Sequence, residues 1–291
     1  MIAKNHLTIL NVIKWDVFLN FRLIDLHKLS TPFMQPILFE LKENVGVITL
    51  NRPNKFNSFN REMALLLQGI LDDCEKNDEV RCVLITGSGK SFCAGQDIAE
   101  LTGENAVGIE VILVEHFNPI VTKIRKLNKP VVAAVNGVAA GAGANIALCC
   151  DVVIAAESAS FIQAFSKIGL IPDSGGTYFL PRLIGFQKAS ALMMTGDKVT
   201  AAEAEKIGMI YKVFSDEDFE TASFAVALKL AQMPTTGLAY TKTALNISMQ
   251  NTFGEQLVQE DRLQRKAAAT ADYKEGIDAF IGKRKAVFTG K

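Results

Sequence analysis

"KPVVAAVNGVAAGAGANIALCCDVVIAA", residues 129–156, is the stretch on which the fold turns. From Pro130 to Val135 it is a short apolar run bounded by proline and glycine, the pattern of a buried strand. The chain then passes through Gly137, Gly141 and Gly143, and "GANIAL" predicts a helix starting near Ala144. "DVVIAA" is apolar again and reads as the next strand. Strands alternating with helices in this way predict an α/β fold with parallel pairing.

The same alternation extends outward. Upstream, "ILFELKENVGVITLNRP" (37–53) reads as two strands joined around Glu43 and Asn44, with Pro53 ending the second. "REMALLLQGILDDCEKN" (61–77) has helical spacing, and Asn60 is placed to cap it. "VRCVLITGSG" (80–89) is a buried strand running into a glycine turn. Downstream of residue 216 the pattern turns helical, in "DFETASFAVALKLAQM", "GLAYTKTALNIS", "FGEQLVQEDRLQRKAAA" and "ADYKEGIDAFIGKRKAVF". The chain therefore divides into an α/β core over 37–215 and a helical C-terminal region over 216–291. Residues 1–36 precede both; "HLTILNVIKWDVFLNFRLIDLHKL" there is apolar but broken by Lys14, Asp16, Arg22 and Asp25. It has no small-residue cleavage site and reads as an added helix, or as an overlong start before Met34.

Composition sets outer limits. The chain has 291 residues, 49% of them hydrophobic, enough for a substantial core. Lysine plus arginine equals aspartate plus glutamate, at 31 each, so no global basic field favours nucleic acid or an anionic membrane. No apolar run reaches the length of a membrane span. Cys74, Cys82, Cys93, Cys149 and Cys150 form no CxxC, and with no signal peptide they predict reduced thiols in a cytoplasmic protein.

Several catalytic patterns fail on residue type. "GSGKS" (87–91) would need glycine at position 84 to be a phosphate loop, and Leu84 is there. "GAGANI" lacks the third glycine of a dinucleotide fingerprint. His6, His27 and His116 are far apart, which argues against a metal site; His116 reads as a polar helix residue. Ser174 in "PDSGG" is not in a nucleophile elbow.

Two glycine-containing turns survive: "SFCAGQD" (91–97) and "NGVAAGAG" (136–143), each after a buried strand. Such turns let a ligand approach the main chain, and a helix beginning there presents unpaired N–H groups. They could form an oxyanion hole, or they could simply allow tight helix–sheet packing. With "SFCAGQDI", residues 129–156, "FIQAFSKIGLIPDSGGTYFLPRLIG" (161–185) and "TAAEAEKIGMIYKV" (200–213) in this order, the chain resembles the enoyl-CoA hydratase/isomerase (crotonase) family over roughly 37–291. That resemblance implies a β-β-α superhelical core, trimers usually paired into hexamers, and acyl-CoA thioester substrates with no prosthetic group or metal. It assigns the oxyanion hole to the main-chain N–H groups of Gln96 and Ala142. It assigns trimerisation and contact with coenzyme A to the C-terminal helices.

The resemblance also narrows the proton chemistry. Family hydratases carry two glutamates; the matching positions here are Asn145 and Phe165, which cannot exchange protons as carboxylates do. In many of the family's isomerases the acid follows "IP", and here it is Asp173. One carboxylate suffices for a 1,3-proton shift from C2 to C4 of a 3-enoyl-CoA, and Phe165 should dry the pocket and raise the basicity of Asp173. The wording of residues 164–183 is most similar to the subgroup that isomerises ring-1,2-epoxyphenylacetyl-CoA to oxepin-CoA and to Δ3,Δ2-enoyl-CoA isomerases. By this likeness Asn145 would orient substrate or a water; otherwise it is a polar residue satisfied by nearby backbone. Lys55 and Phe56, the run Ala94, Gly95, Gln96, Asp97 and Ile98, and Phe280 with Lys283 match the family's surfaces for coenzyme A. The last pair could act across a subunit boundary, although "KRK" reads equally as a solvated basic helix end. Glu110 and Glu115, on the segment that usually roofs the pocket, are rival acids expected to face solvent. The alternatives are a hydratase or other family chemistry with a different acid, and a non-catalytic binding protein, for instance one that holds RNA.

Overall fold

The computed structural model describes residues 35–102 and 106–291; the N-terminal extension, but for its last two residues, lies outside the described residues. β1 (Ile37–Lys42) and β2 (Val45–Leu50) form the expected antiparallel hairpin. Glu43 and Asn44 turn it with both φ values positive, at 49° and 64°, the geometry of a tight two-residue hairpin. α1 (Arg61–Lys76) follows, and the Asn60 side chain accepts a hydrogen bond from Met63 N as its cap. Met63, Leu67, Leu71 and Cys74 form its buried stripe, each large apolar side chain contributing about 1.5–3 kcal/mol.

From there the chain repeats one unit: a strand in a first sheet, a short strand in a second, then helix. The first unit is β3 (Cys82–Gly87) and β4 (Ser91–Cys93), followed by α2 (Ile109–Val111), a π-helical turn (Ile112–Phe117) and α3 (Asn118–Lys126). The second is β5 (Val131–Val135), β6 (Val138–Ala140) and α4 (Ala142–Leu148). The third is β7 (Val152–Ala156), β8 (Ser160–Ile162) and α5 (Gly176–Ile184). α6 (Phe186–Thr195), β9 (Lys198–Thr200), α7 (Ala201–Lys206) and β10 (Lys212–Phe214) complete the α/β part.

The first sheet runs β1-β2-β3-β5-β7-β10 and is parallel from β2 onward. The second runs β4-β6-β8-β9, parallel up to an antiparallel β8–β9 edge. This is the β-β-α arrangement expected from the resemblance. The turns at 91–97 and 136–143 are therefore more than turns, since each contains a strand of three residues. β5 and β3 are buried on both faces, which is why they read as continuous apolar runs.

Four helices end the chain: α8 (Phe219–Ala231), α9 (Thr235–Ser248), α10 (Phe253–Ala268) and α11 (Ala271–Ile281). α8 packs on β2, β3 and β7, and residues 35–291 form one compact unit. α9 is held by Lys242, whose Nζ lies 2.8 Å from Asp151 Oδ2 and donates to Ile124 O. Asp151 also pairs with Arg125 and accepts from Val131 N, so one half-buried carboxylate joins α3, β5 and α9. The last helix is shorter than its sequence reading. It stops at Ile281, and "KRKAVF" is not helical, with Lys283 at φ 49°. All five cysteines are free and buried. Burial pushes the Cys74 thiol up to about 11 and the Cys93 thiol up to about 12.

Candidate active site

α4 organises the site. It begins at Ala142, two residues before the sequence reading placed it, directly after Gly141 at φ 53°. Its start lies hard against β4: a Cβ on Gly143 would stand 2.4 Å from Cys93 O, so only glycine allows this approach. The 94–98 turn reaches the same place, since a Cβ on Gly95 would lie 3.3 Å from Ala142 N. Among the described residues neither the Gln96 N–H nor the Ala142 N–H meets an acceptor. Two unpaired donors from adjoining turns, one at a helix start, can stabilise charge developing on a carbonyl oxygen.

The Asp173 loop also meets α4. It sits half-buried in the loop between β8 and α5, and its carbonyl accepts from Asn145 Nδ2 at 2.9 Å. Asn145 is buried on α4, and its Oδ1 accepts from Gln163 Nε2 at 2.8 Å. The Asn145 amide thus makes one hydrogen bond at each end inside the protein and bridges α4 to the Asp173 loop and to Gln163. The loop rests directly on this amide: a Cβ on Gly176 would lie 2.3 Å from Asn145 Nδ2. Burial pushes the Asp173 carboxyl above the usual range, while the Ser174 hydroxyl and the residue's own N–H pull it partly back. Phe165 is buried, with its ring edge 3.8 Å from where a Gly141 Cβ would stand. Asp173, Asn145, Phe165 and the start of α4 are therefore brought together.

The coenzyme A candidates divide into two groups. Lys55 and Phe56 are exposed, and their segment is tied to the 94–98 turn, where Ala94 N donates to Phe56 O and Asp97 N to Phe59 O. Phe56 and Ile98, 60% and 61% exposed, give this joined surface its apolar part. Asp97 is a brace: Arg52 Nη2 donates to it at 2.8 Å and Ala99 N caps onto it. Burial opposes its ionisation, but the Arg52 hydrogen bond and the Ala99 N–H outweigh that and hold its carboxyl low. Phe280 and Lys283 are exposed and make no hydrogen bond to this group. Their tail is anchored elsewhere, by Asp272 to Thr289 N and Gly290 N and by Arg81 to Phe288 O.

The rival acids face solvent as expected. Glu110 is exposed, and Glu115 pairs with Arg61 at 3.2 Å. His116, read as a polar helix residue, does lie in a helical segment. It is buried in the π-helical turn with neither ring nitrogen partnered among the described residues, and burial lowers its pKa. Gln163 and Ser174 were missed: a lone polar residue in "SFIQAF" and a serine beside an acid carry no distinctive spacing. Among the described residues no cluster of three or more His, Cys, Asp or Glu side chains could hold a metal. A cavity of about 880 Å³ lined by Lys42, Thr86, Lys90, Asn136 and Asp216 shares no residue with this cluster.

Comparison with known proteins bears on the family and the fold. The family model described as enoyl-CoA hydratase/isomerase matches residues 40–291. The 1,2-epoxyphenylacetyl-CoA isomerase of Escherichia coli (strain K12) is 46% identical over 262 residues, covering 89% of this chain and all of that protein (100%). A Rhodobacter capsulatus protein named "Probable enoyl-CoA hydratase" is 42% identical, covering 88% of this chain and 98% of its own. The crystal structure of an enoyl-CoA hydratase from Bacillus anthracis superposes with a TM-score of 0.82 at 33% identity, over 88% of this chain and 100% of that one. With the two interleaved sheets, the glycine-led helix and matches of this extent, the chain belongs to the enoyl-CoA hydratase/isomerase family and has the crotonase fold.

Proposed function

We propose that the protein is an acyl-CoA isomerase that moves a double bond from the 3,4 to the 2,3 position, opens a ring-1,2-epoxide of phenylacetyl-CoA to the oxepin, or does both. One observation supports this reading: a single half-buried carboxyl, Asp173, with raised basicity, belongs to the loop that rests on α4, and the two positions matching the hydratase glutamates hold an amide and a phenyl ring. The thioester oxygen takes the N–H groups of Gln96 and Ala142. Asp173 removes a C2 proton, the electron pair moves into the thioester as an enolate, and the donors stabilise the new charge, each by about 3 kcal/mol. Returning the proton to C4 shifts the double bond and regenerates the carboxylate. No water enters the balance, which suits a site without a second acid. The printed name of the Escherichia coli relative supports the epoxide branch.

Lys55, Phe56 and residues 94–98 would hold the adenine and pantetheine parts of coenzyme A. Phe280 and Lys283 would add to them from a neighbouring subunit. Phe280, Ile281, Phe253 and Val258 are 66–83% exposed on the C-terminal helices, which supports a homotrimer or homohexamer. No described helix is long and apolar enough to cross a membrane. The five free cysteines favour a reducing compartment, and we propose the cytoplasm. The test is to give the protein 3-hexenoyl-CoA and 2-hexenoyl-CoA separately. Conversion of the first is expected; fast hydration of the second with the first untouched would establish the hydratase reading instead.

A further inference from the structure

Ser174 adopts an unusual conformation. Its φ is 52°, in the left-handed region that residues with a Cβ occupy only at a cost. Gly175 beside it adopts the same region, at φ 77°, without that cost. The turn's geometry does not require a serine side chain, and glycine would fit with less strain. What the serine adds is a hydroxyl. It belongs to a residue only 2% exposed and donates to Asp173 Oδ1 at 2.8 Å. A hydroxyl has one hydrogen to give, and no solvent competes for it in this buried position.

From this strained backbone, the buried hydroxyl and its contact, we infer that Ser174 is a positioning residue for the proton shuttle. It fixes Oδ1 as a permanent acceptor, so that Oδ2 is the oxygen that takes the proton from C2 and returns it to C4. The inference rests on Asp173 being the base. In the step, the C2–H bond breaks and an Oδ2–H bond forms while the electron pair enters the thioester. The Oδ2–H bond then breaks and C4–H forms. A carboxylate pinned at one oxygen cannot rotate between the two transfers, so the proton stays on one face of the acyl chain. The hydroxyl also favours the ionised form and keeps a buried carboxylate available as a base at neutral pH.

The test uses the full chain with Ser174→Ala and Ser174→Gly. The kcat/KM for 3-hexenoyl-CoA is followed against pH, alongside melting temperature. In both variants the acidic limb is expected to move up by about one pH unit, because a hydrogen bond to the charged form is gone. On the alkaline plateau kcat should fall about tenfold with KM little changed, as misorientation acts on the chemical step. The glycine variant should melt above the alanine variant, since it relieves the backbone, and it carries the test if the alanine variant does not fold. A merely structural serine would change melting and leave the limb in place. An unmoved limb with wild-type kcat overturns the inference. If Asp173→Asn is inactive in the same assay, that result leaves the base reading standing; an active Asp173→Asn removes both.

Discussion

Asp173 combines two properties that oppose each other. Burial makes its carboxyl a stronger base than a surface aspartate, and the same burial makes its charge costly to the fold. Because its folded pKa lies above the unfolded value, the native state binds the proton more tightly. The associated stability is full below the unfolded pKa and is lost as pH rises through the folded one. Asp173→Asn is therefore expected to melt at or above the wild-type temperature at pH 7; a clear drop would mean that the carboxylate is a net structural prop. The rate should fall with acid at a pH above the ordinary carboxylate range, read from kcat/KM against pH. The sequence marked this acid only through the resemblance, in which an acid follows "IP"; the proline and glycines around it read equally as an ordinary turn. It could not mark Ser174 or Gln163, whose roles depend on a backbone angle and on a partner in another element.

At the scale of elements, the site is a contact between α4 and the loop that follows β8. Gly143 sets how close α4 comes to β4, and the Asn145 amide sets how close the Asp173 loop comes to α4. Gly143→Ala would drive a Cβ into Cys93 O and should cost about 1–3 kcal/mol in chemical denaturation, with loss of activity as α4 shifts. Asn145→Ala removes one buried and one partly buried hydrogen bond and should destabilise by about 1–3 kcal/mol, with kcat reduced more than KM is raised. A variant as stable and active as wild type would show the bridge to be incidental. The long elements were legible because they carry periodicity or caps: the hairpin at Glu43–Asn44, α1 behind Asn60, the apolar runs of β3, β5 and β7. β4, β6 and β8 were not. Three residues are too few to show alternation, and they form strands only because the neighbouring strands supply partners. The π-helical turn was hidden for a similar reason, since its residues continue an ordinary helical pattern on both sides.

Across the described residues, α8 closes over β2, β3 and β7, and α9 is tied through Asp151 to α3 and β5. Lys242 fastens this closure; Lys242→Met removes one of the two cations on Asp151, leaves Arg125 and Val131 N in place, and should cost about 1–3 kcal/mol by calorimetry. The exposed apolar side chains of α10 and α11 lead us to expect a trimer or hexamer in sedimentation. A stable monomer with full activity would mean that Phe280 and Lys283 contribute nothing to coenzyme A. The isomerase reading itself is tested most directly by Asp173→Asn, assayed for formation of 2-hexenoyl-CoA from 3-hexenoyl-CoA while coenzyme A binding is measured in parallel. The expected result is a fall of about 10²–10⁴ in kcat with binding retained. A variant that turns over at the wild-type rate would contradict it.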